Sequence, residues 1–275
     1  MNQPLVSICI PAYNSAEYIK DTVESLLRQT YTNIEVVVAD DCSKDNTCEI
    51  LESIEDSRLK IHRNEKNLGM VGNWNNCLRL GSGEFLKLVC ADDMLDSNAI
   101  EKEVTALINH PTAVMVESDT RLVDNDNKQK GAYHRYHKSG LVNGKEVARK
   151  ALIFKNYFGA PVNNMFRRDA FLKTGGFDER FTFILDFDLW VNLALQGDIF
   201  IIHELLNSFR VRHDSNTGNL VNNDRDTFTN EHRALVEKYA SMPELKMSKF
   251  DVELSVFIRK LRNFAVKIYL RLFAK

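Results

Sequence analysis

The sequence predicts an α/β fold: a mainly parallel sheet with helices on both faces, followed by a helical C-terminal extension. Three observations predict it. Short apolar runs alternate with helical patterns through the first hundred residues, which is the rhythm of βαβ units. Polar clusters at 11–14, 40–41 and 92–93 each follow directly on an apolar run. The last twenty residues, "VFIRKLRNFAVKIYLRLFAK", repeat apolar positions at helical spacing and contain no acid.

The elements follow in order. "LVSICI" (5–10) reads as a buried strand closed by Pro11. "SAEYIKDTVESLLRQ" (15–29) sets Ile19, Val23, Leu26 and Leu27 at helical spacing behind Ser15 as N-cap. "IEVVVAD" (34–40) is a second strand, and "SKDNTCEILESIE" (43–55) a helix with Ile50, Leu51 and Ile54 on one face. "LKIHR" (59–63), a helical segment over about 70–80 and the strand "EFLKLVCA" (84–91) continue the alternation. Residues 97–110 form a helix capped by Ser97 or Asp96. Beyond about 112 the rhythm changes to a strand, a polar hairpin turning at 124–130, a helix over 144–154, then strand, short helix and a Gly175–Gly176 stop. "DFDLWVNLALQG" (186–197) is a helix ended by Gly197. The organisation expected is a domain over 1–220, donor side about 1–120 and acceptor side about 121–220, with a helical extension over 221–275.

The composition, 44% hydrophobic and 27% charged over 275 residues, is that of a globular chain with ample core. A net charge of −2 gives no reason to expect a nucleic-acid partner. Five cysteines without a CxxC pair read as reduced thiols, hence a cytoplasmic setting. The opening "MNQPLVSICIPAYN" lacks the basic start of a secretory signal, and no run of eighteen apolar residues is present.

In a parallel α/β sheet, ligands bind beyond the carboxyl ends of the strands. That rule gathers Pro11–Asn14, Asp40–Asp41 and Asp92–Asp93 on one rim. One acid of each pair suffices to start a helix, and the other is left for a ligand. Paired carboxylates at the end of "KLVCADD" suit a hard divalent cation, Mg²⁺ or Mn²⁺, carried with phosphate oxygens. Asp41 or its neighbour suits an imide N–H such as that of uracil, and Tyr13 offers a face on which a base could stack. Asp186 and Asp188 open a helix after the apolar "FTFIL", and either suits a general base. Arg210, Arg212 and His213 follow another apolar stretch and bring cations. His203–Glu204 in "HELLN" lacks the second histidine of a zincin helix, and His134 and His137 in "YHRYH" sit in a polar hairpin, where a solvated role outweighs a metal one.

"VSICIPAYN", "IEVVVADDCSKDNT", "NLGMVGNWNNCLRLGSGEFLKLVCADD" and "FRRDAFLKTGGFDERF…LDFDLW", in this order, resemble the inverting family-2 glycosyltransferases of GT-A fold, over about residues 4–217. The resemblance implies a Rossmann-type sheet and transfer of a UDP-linked sugar to a glycan or lipid-linked acceptor in bacterial surface-polysaccharide synthesis. It implies nucleotide contacts from Pro11, Tyr13, Asn14, Asp41, Asn67, Gly69 and Asp92. It implies that Asp93, joined by His213, holds Mg²⁺ or Mn²⁺, and that Asp186 is the base. Leu185 stands where many members carry a Glu, so Asp188 is the alternative base. Trp74 stands where many relatives carry an Arg, and with Arg210 and Arg212 it is placed at the diphosphate or acceptor. The rival readings are a non-catalytic nucleotide-sugar-binding protein of the same fold and a nucleotidyltransferase. The second would carry a Gly-rich, basic loop after the first strand, which "PAYNSAEY" is not. The basic amphipathic tail 256–275 suits either the inner surface of the cell membrane or the protein's own core.

Overall fold

The computed structural model describes residues 3–212 and 225–273. Strands β1 (Val6–Ala12), β2 (Ile34–Asp40), β3 (Leu59–Arg63) and β4 (Phe85–Leu88) pair in parallel, in the order β3-β2-β1-β4. Helices α1 (Ile19–Leu27), α2 (Thr47–Glu52) and α3 (Gly69–Leu80) are the crossovers. Every residue of β1 and β2 is buried, which is why both read as unbroken apolar runs rather than alternating ones. Pro11 does not close β1. The strand runs on to Ala12 in register with Asp40, so Tyr13 and Asp41 leave the sheet side by side.

The second half is mixed. β9 (Asn164–Arg167) lies antiparallel between β4 and β6 (Ala113–Val123), and β10 (Asp198–Arg210) runs parallel to β6. β5 (Met94–Leu95), β7 (Gln129–Tyr133) and β8 (Gly140–Val142) add antiparallel edges, completing a mainly parallel GT-A-like sheet of ten strands among the described residues. One face packs on α1 and α4 (Ala99–Asn109) through Val23, Leu26, Ile100, Val104 and Leu107. The other packs on α5 (Gly144–Ile153), α6 (Arg168–Thr174) and α7 (Leu185–Ala194), with Leu152, Phe171, Leu189 and Trp190 in its core. Two further helices follow, α8 (Arg225–Ala240) and α9 (Lys249–Phe273), and Leu235, Val236 and Tyr239 of α8 enter the same core.

Two expected caps are not formed. Tyr18, not Ser15, precedes α1, and Ser15 acts only through its backbone carbonyl, which accepts from the N–H of Ile19 at 3.0 Å. Before α4 the cap position is Asn98, without a side-chain bond, because the Asp96 carboxylate is taken by a two-pronged pairing with Arg121, 2.7 Å on each side. Charge-assisted pairing of that geometry outcompetes a cap.

Candidate functional site

The ends of β1, β2 and α3 meet in one polar knot. Tyr13 is 47% exposed, an unusually open position for an aromatic at a strand end. Asn14 takes a left-handed backbone (φ +49°), tolerated by Asn because its side chain bonds locally, here accepting the N–H of Lys44 at 2.8 Å. Asp41 is buried, and its Oδ1 accepts from Asn64 Nδ2 and from the N–H of Leu68, both at 2.8 Å. Its carbonyl accepts from Asn67 Nδ2 at 3.0 Å, while Asn67 Oδ1 accepts the N–H of Gly69. Gly69, at φ +72°, makes the turn into α3. Pro11 is buried within β1.

The paired acids lie where β5 turns back against β10, Met94 opposite Ser208. Asp93 is 1% exposed, and its Oδ1 accepts the backbone N–H of Arg210 at 3.1 Å. Its Oδ2 is buried with no hydrogen-bond partner. Burial and the adjacent Asp92 charge push the Asp93 carboxyl well above the usual range, only partly opposed by Arg210 and Arg212. Arg212 Nε stands 3.5 Å from Asp92 Oδ2, with its guanidinium over the Tyr18 ring.

Arg210 is held by the protein itself. It is 2% exposed, and its guanidinium donates to the carbonyls of Asp92, Asp124 and Asn125 and to Asn127 Oδ1. With its charge also lying over the Tyr18 ring, it clamps the β6–β7 turn onto the acid loop and has no open face for a ligand. His213 lies outside the described residues.

Asp186, in the first turn of α7, retains partial exposure. Burial raises its carboxyl to about 6, tempered by the N–H of Phe187, 2.7 Å away, and by the charge of Arg135. The Cys90 thiol is pushed up by burial and by the charges of Asp93, Asp92 and Asp186, so all three carboxylates bear on the end of the β4 segment. Asp188 is engaged by α8. It is 2% exposed and accepts from Lys238 Nζ at 2.6 Å and Tyr239 OH at 2.9 Å, fixing α7 to α8. Trp74 is half-buried and meets Phe177 edge-on at 5.3 Å, an apolar packing at the core margin. Arg135 was not among the residues marked by sequence. It sits 51 positions before Asp186 in what reads as a polar hairpin, and no local pattern announces that its charge bears on that acid.

The donor set fits a hard divalent cation: two adjacent carboxylates, one of them holding an oxygen buried without a partner.

Comparison with known proteins bears on the family and the fold. The profile of the family described as "Glycosyl transferase family 2" matches residues 7–175. The uncharacterized glycosyltransferase RP339 of Rickettsia prowazekii is 30% identical over 277 residues, 97% of this chain and 83% of that protein. The UDP-Glc:alpha-D-GlcNAc-diphosphoundecaprenol beta-1,3-glucosyltransferase WfgD of Escherichia coli is 36% identical over 115 residues, 42% of this chain and 46% of WfgD. Among solved structures, S. aureus TarS 1-349 in complex with UDP-GlcNAc matches over 98% of this chain and 76% of its own, at TM-score 0.74 and 19% identity. The mannosyltransferase PcManGT from Pyrobaculum calidifontis in complex with GDP-Man and Mn²⁺ matches over 99% and 76%, at TM-score 0.64 and 16% identity. At such identities the two structures speak for the fold.

Proposed function

Because the chain belongs to glycosyl transferase family 2, we propose that it moves a sugar from a UDP-sugar to an acceptor hydroxyl, with inversion and with a divalent cation, in bacterial surface-polysaccharide synthesis. The observation that carries the reading is the Asp92–Asp93 pair, with Asp93 Oδ1 fixed by the Arg210 N–H and Oδ2 buried without a partner. Asp93 with Asp92 would hold Mg²⁺ or Mn²⁺, and the bound cation supplies positive charge to the diphosphate as it leaves. PcManGT, whose complex contains Mn²⁺, supports this choice.

The chain's own residues do the rest. Tyr13 provides the stacking face for the base. Asp41, anchored through Oδ1, presents its other oxygen to the imide edge. Asp186, raised to about 6, is ionised at neutral pH yet basic enough to receive a proton. The acceptor oxygen forms the new bond to the anomeric carbon as the bond to the diphosphate breaks, and the acceptor proton passes to Asp186. A single displacement of this kind inverts the anomeric centre. Asp188, engaged by Lys238 and Tyr239, supports the choice of Asp186 as base.

A lipid-linked acceptor at a membrane surface belongs to the same proposal. No described helix is long and apolar enough to cross a membrane. On α9, however, Phe250, Phe257 and Leu261 are 73%, 58% and 51% exposed, and with Leu254 they stand at i, i+7, i+11 and i+4, one face of a helix. Lys and Arg accompany that stripe, with no acid after Glu253, so an anionic bilayer is the fitting surface. WfgD, named for a diphosphoundecaprenol-linked acceptor, supports the acceptor class.

The test is hydrolysis of a panel of nucleotide-sugars with Mn²⁺ by the wild type, Asp93→Ala and Asp186→Asn, with acceptor lipids added in a second series. Metal-dependent release of one nucleoside diphosphate, abolished by Asp93→Ala, is expected. A donor bound but never turned over, with equal affinity in all three proteins, would establish the non-catalytic binding protein instead.

A further inference from the structure

Away from the acid cleft, the fold brings one carboxylate and two imidazoles together. Asp119 lies on β6 with its side chain 3% exposed, His203 on β10 at 28%, and His134 just beyond β7 at 65%. His134 Nδ1 touches Asp119 Oδ2, and His203 Nδ1 stands 3.2 Å from the same oxygen. The two rings are nearly perpendicular with centroids 5.3 Å apart. One ligand atom from each residue lies within 4.8 Å of the other two.

The chain is built to make this meeting. The β6–β7 hairpin pairs Thr120 with Tyr133, so the next residues outward, Asp119 and His134, adjoin. Between β6 and β10 the register slips, Ile202 facing Ser118 but Leu205 facing Asp119. Residues 203–204 are therefore a bulge, the device by which a strand re-aims a side chain, and the side chain re-aimed is His203. A second buried acid sits two residues earlier on the same face of β6: Glu117, 2% exposed, whose Oε2 has no hydrogen-bond partner. The charge of Arg135 bears on Glu117, which leaves Asp119 as the carboxylate that the two imidazoles meet.

We propose that Asp119, His134 and His203 bind a first-row divalent transition metal, Zn²⁺ fitting best, at a site separate from Asp92–Asp93. Two imidazoles and a carboxylate favour Zn²⁺ over Mg²⁺ or Mn²⁺, and three protein ligands leave the fourth position to water. Zn–N and Zn–O bonds near 2.0–2.1 Å put tetrahedral ligand atoms about 3.3 Å apart, close to the present 3.2 Å between His203 and Asp119. His134 must swing outward to make room, and its 65% exposure lets it. The ion would tie the segment after β7 to β10 and so fix Arg135, whose charge bears on Asp186. The site stands independently of the sugar-transfer reading.

The test uses full-length protein stripped with chelator and titrated without nucleotide. Zn²⁺ affinity is read by competition with a chromophoric chelator, and ligand type by the visible spectrum of the Co²⁺ form. Expected is one equivalent with a tetrahedral Co²⁺ spectrum free of thiolate charge transfer, retained in Asp93→Ala. His203→Ala and the exposed His134→Ala should each weaken it by more than about tenfold, with circular dichroism confirming that both are folded. Binding to the cysteines, binding lost in Asp93→Ala but kept in both histidine variants, or no equivalent bound at all would each overturn the proposal and leave an Asp–His ion pair.

Discussion

Replacing Asp186 by Asn should make the protein more stable and nearly inactive. Burial raises the folded-state pKa from 3.8 to about 6. Since it lies above the unfolded value, the stability Asp186 contributes is complete below pH 3.8 and is lost as pH rises through about 6. Two pKa units correspond to about 3 kcal/mol, and partial exposure reduces this to about 2 kcal/mol. Asn has nearly the same shape and never ionises, and its oxygen can still accept from Phe187. At pH 8 the ligand-free variant should melt about 5 °C above the wild type, given roughly 2–4 °C per kcal/mol at this chain length. At pH 4 the two should coincide.

The activity should move the opposite way. Removing a general base lowers turnover about 10²–10⁴-fold, and wild-type turnover should climb as pH rises through about 6. Scanning calorimetry from pH 4 to 8, paired with nucleoside-diphosphate release, reads both effects. A melting difference independent of pH, or an Asn variant that turns over normally, would refute the assignment of Asp186 as a base whose pKa burial raises.

Three other substitutions separate structure from chemistry. Asp188→Ala removes the carboxylate shared by Lys238 and Tyr239, leaving Lys238 its longer contact to Asp178 and Tyr239 the residue-188 carbonyl; it should cost about 3 kcal/mol or less, while turnover per folded molecule, measured beside urea denaturation, stays close to wild type. Lys87→Met strands the Glu103 carboxylate, whose pair with Lys87 is 0% exposed on both sides. It should lose about 3–5 kcal/mol in urea, and the double variant with Glu103→Leu should recover most of that. Tyr13→Ala should weaken UDP binding by about 1–3 kcal/mol in calorimetric titration, and an unchanged Kd would remove Tyr13 from the base site.

The parallel half of the fold was legible because its strands are buried on both faces and its helices are amphipathic. Both properties leave a mark in local sequence, as in "IEVVVAD". The short antiparallel edges β5 and β8 were not, since they are two and three residues long and owe their existence to distant partners, Asn207–Ser208 for β5 and Ile199–Ile201 for β8. The candidate site divides in the same way. The acids that end strands stand out because charge directly after an apolar run needs a reason. Arg135 acts on Asp186, and His203 meets Asp119, only through tertiary placement, and a hairpin histidine looks alike whether or not a carboxylate waits beside it.

Arg210 shows why the paired acids need an external partner. A guanidinium beside two carboxylates would ordinarily be taken as their counter-ion, and sequence order invites that reading. A guanidinium has five N–H donors, and here four bonds go to the carbonyls of Asp92, Asp124 and Asn125 and to Asn127 Oδ1. Asp93 receives only the backbone N–H. Had the guanidinium forked onto Asp93, the charge-assisted pair would have held the carboxylate ionised and blocked its free oxygen. Tied instead to backbone carbonyls, Arg210 fixes where Asp93 stands without satisfying it. The result is a carboxylate held rigid, raised well above its usual pKa by burial and Asp92, and electrostatically incomplete. A divalent cation arriving with a diphosphate completes it. The same arrangement ties metal affinity to donor binding, because neither the acids alone nor the diphosphate alone offers the cation a full set of oxygen ligands.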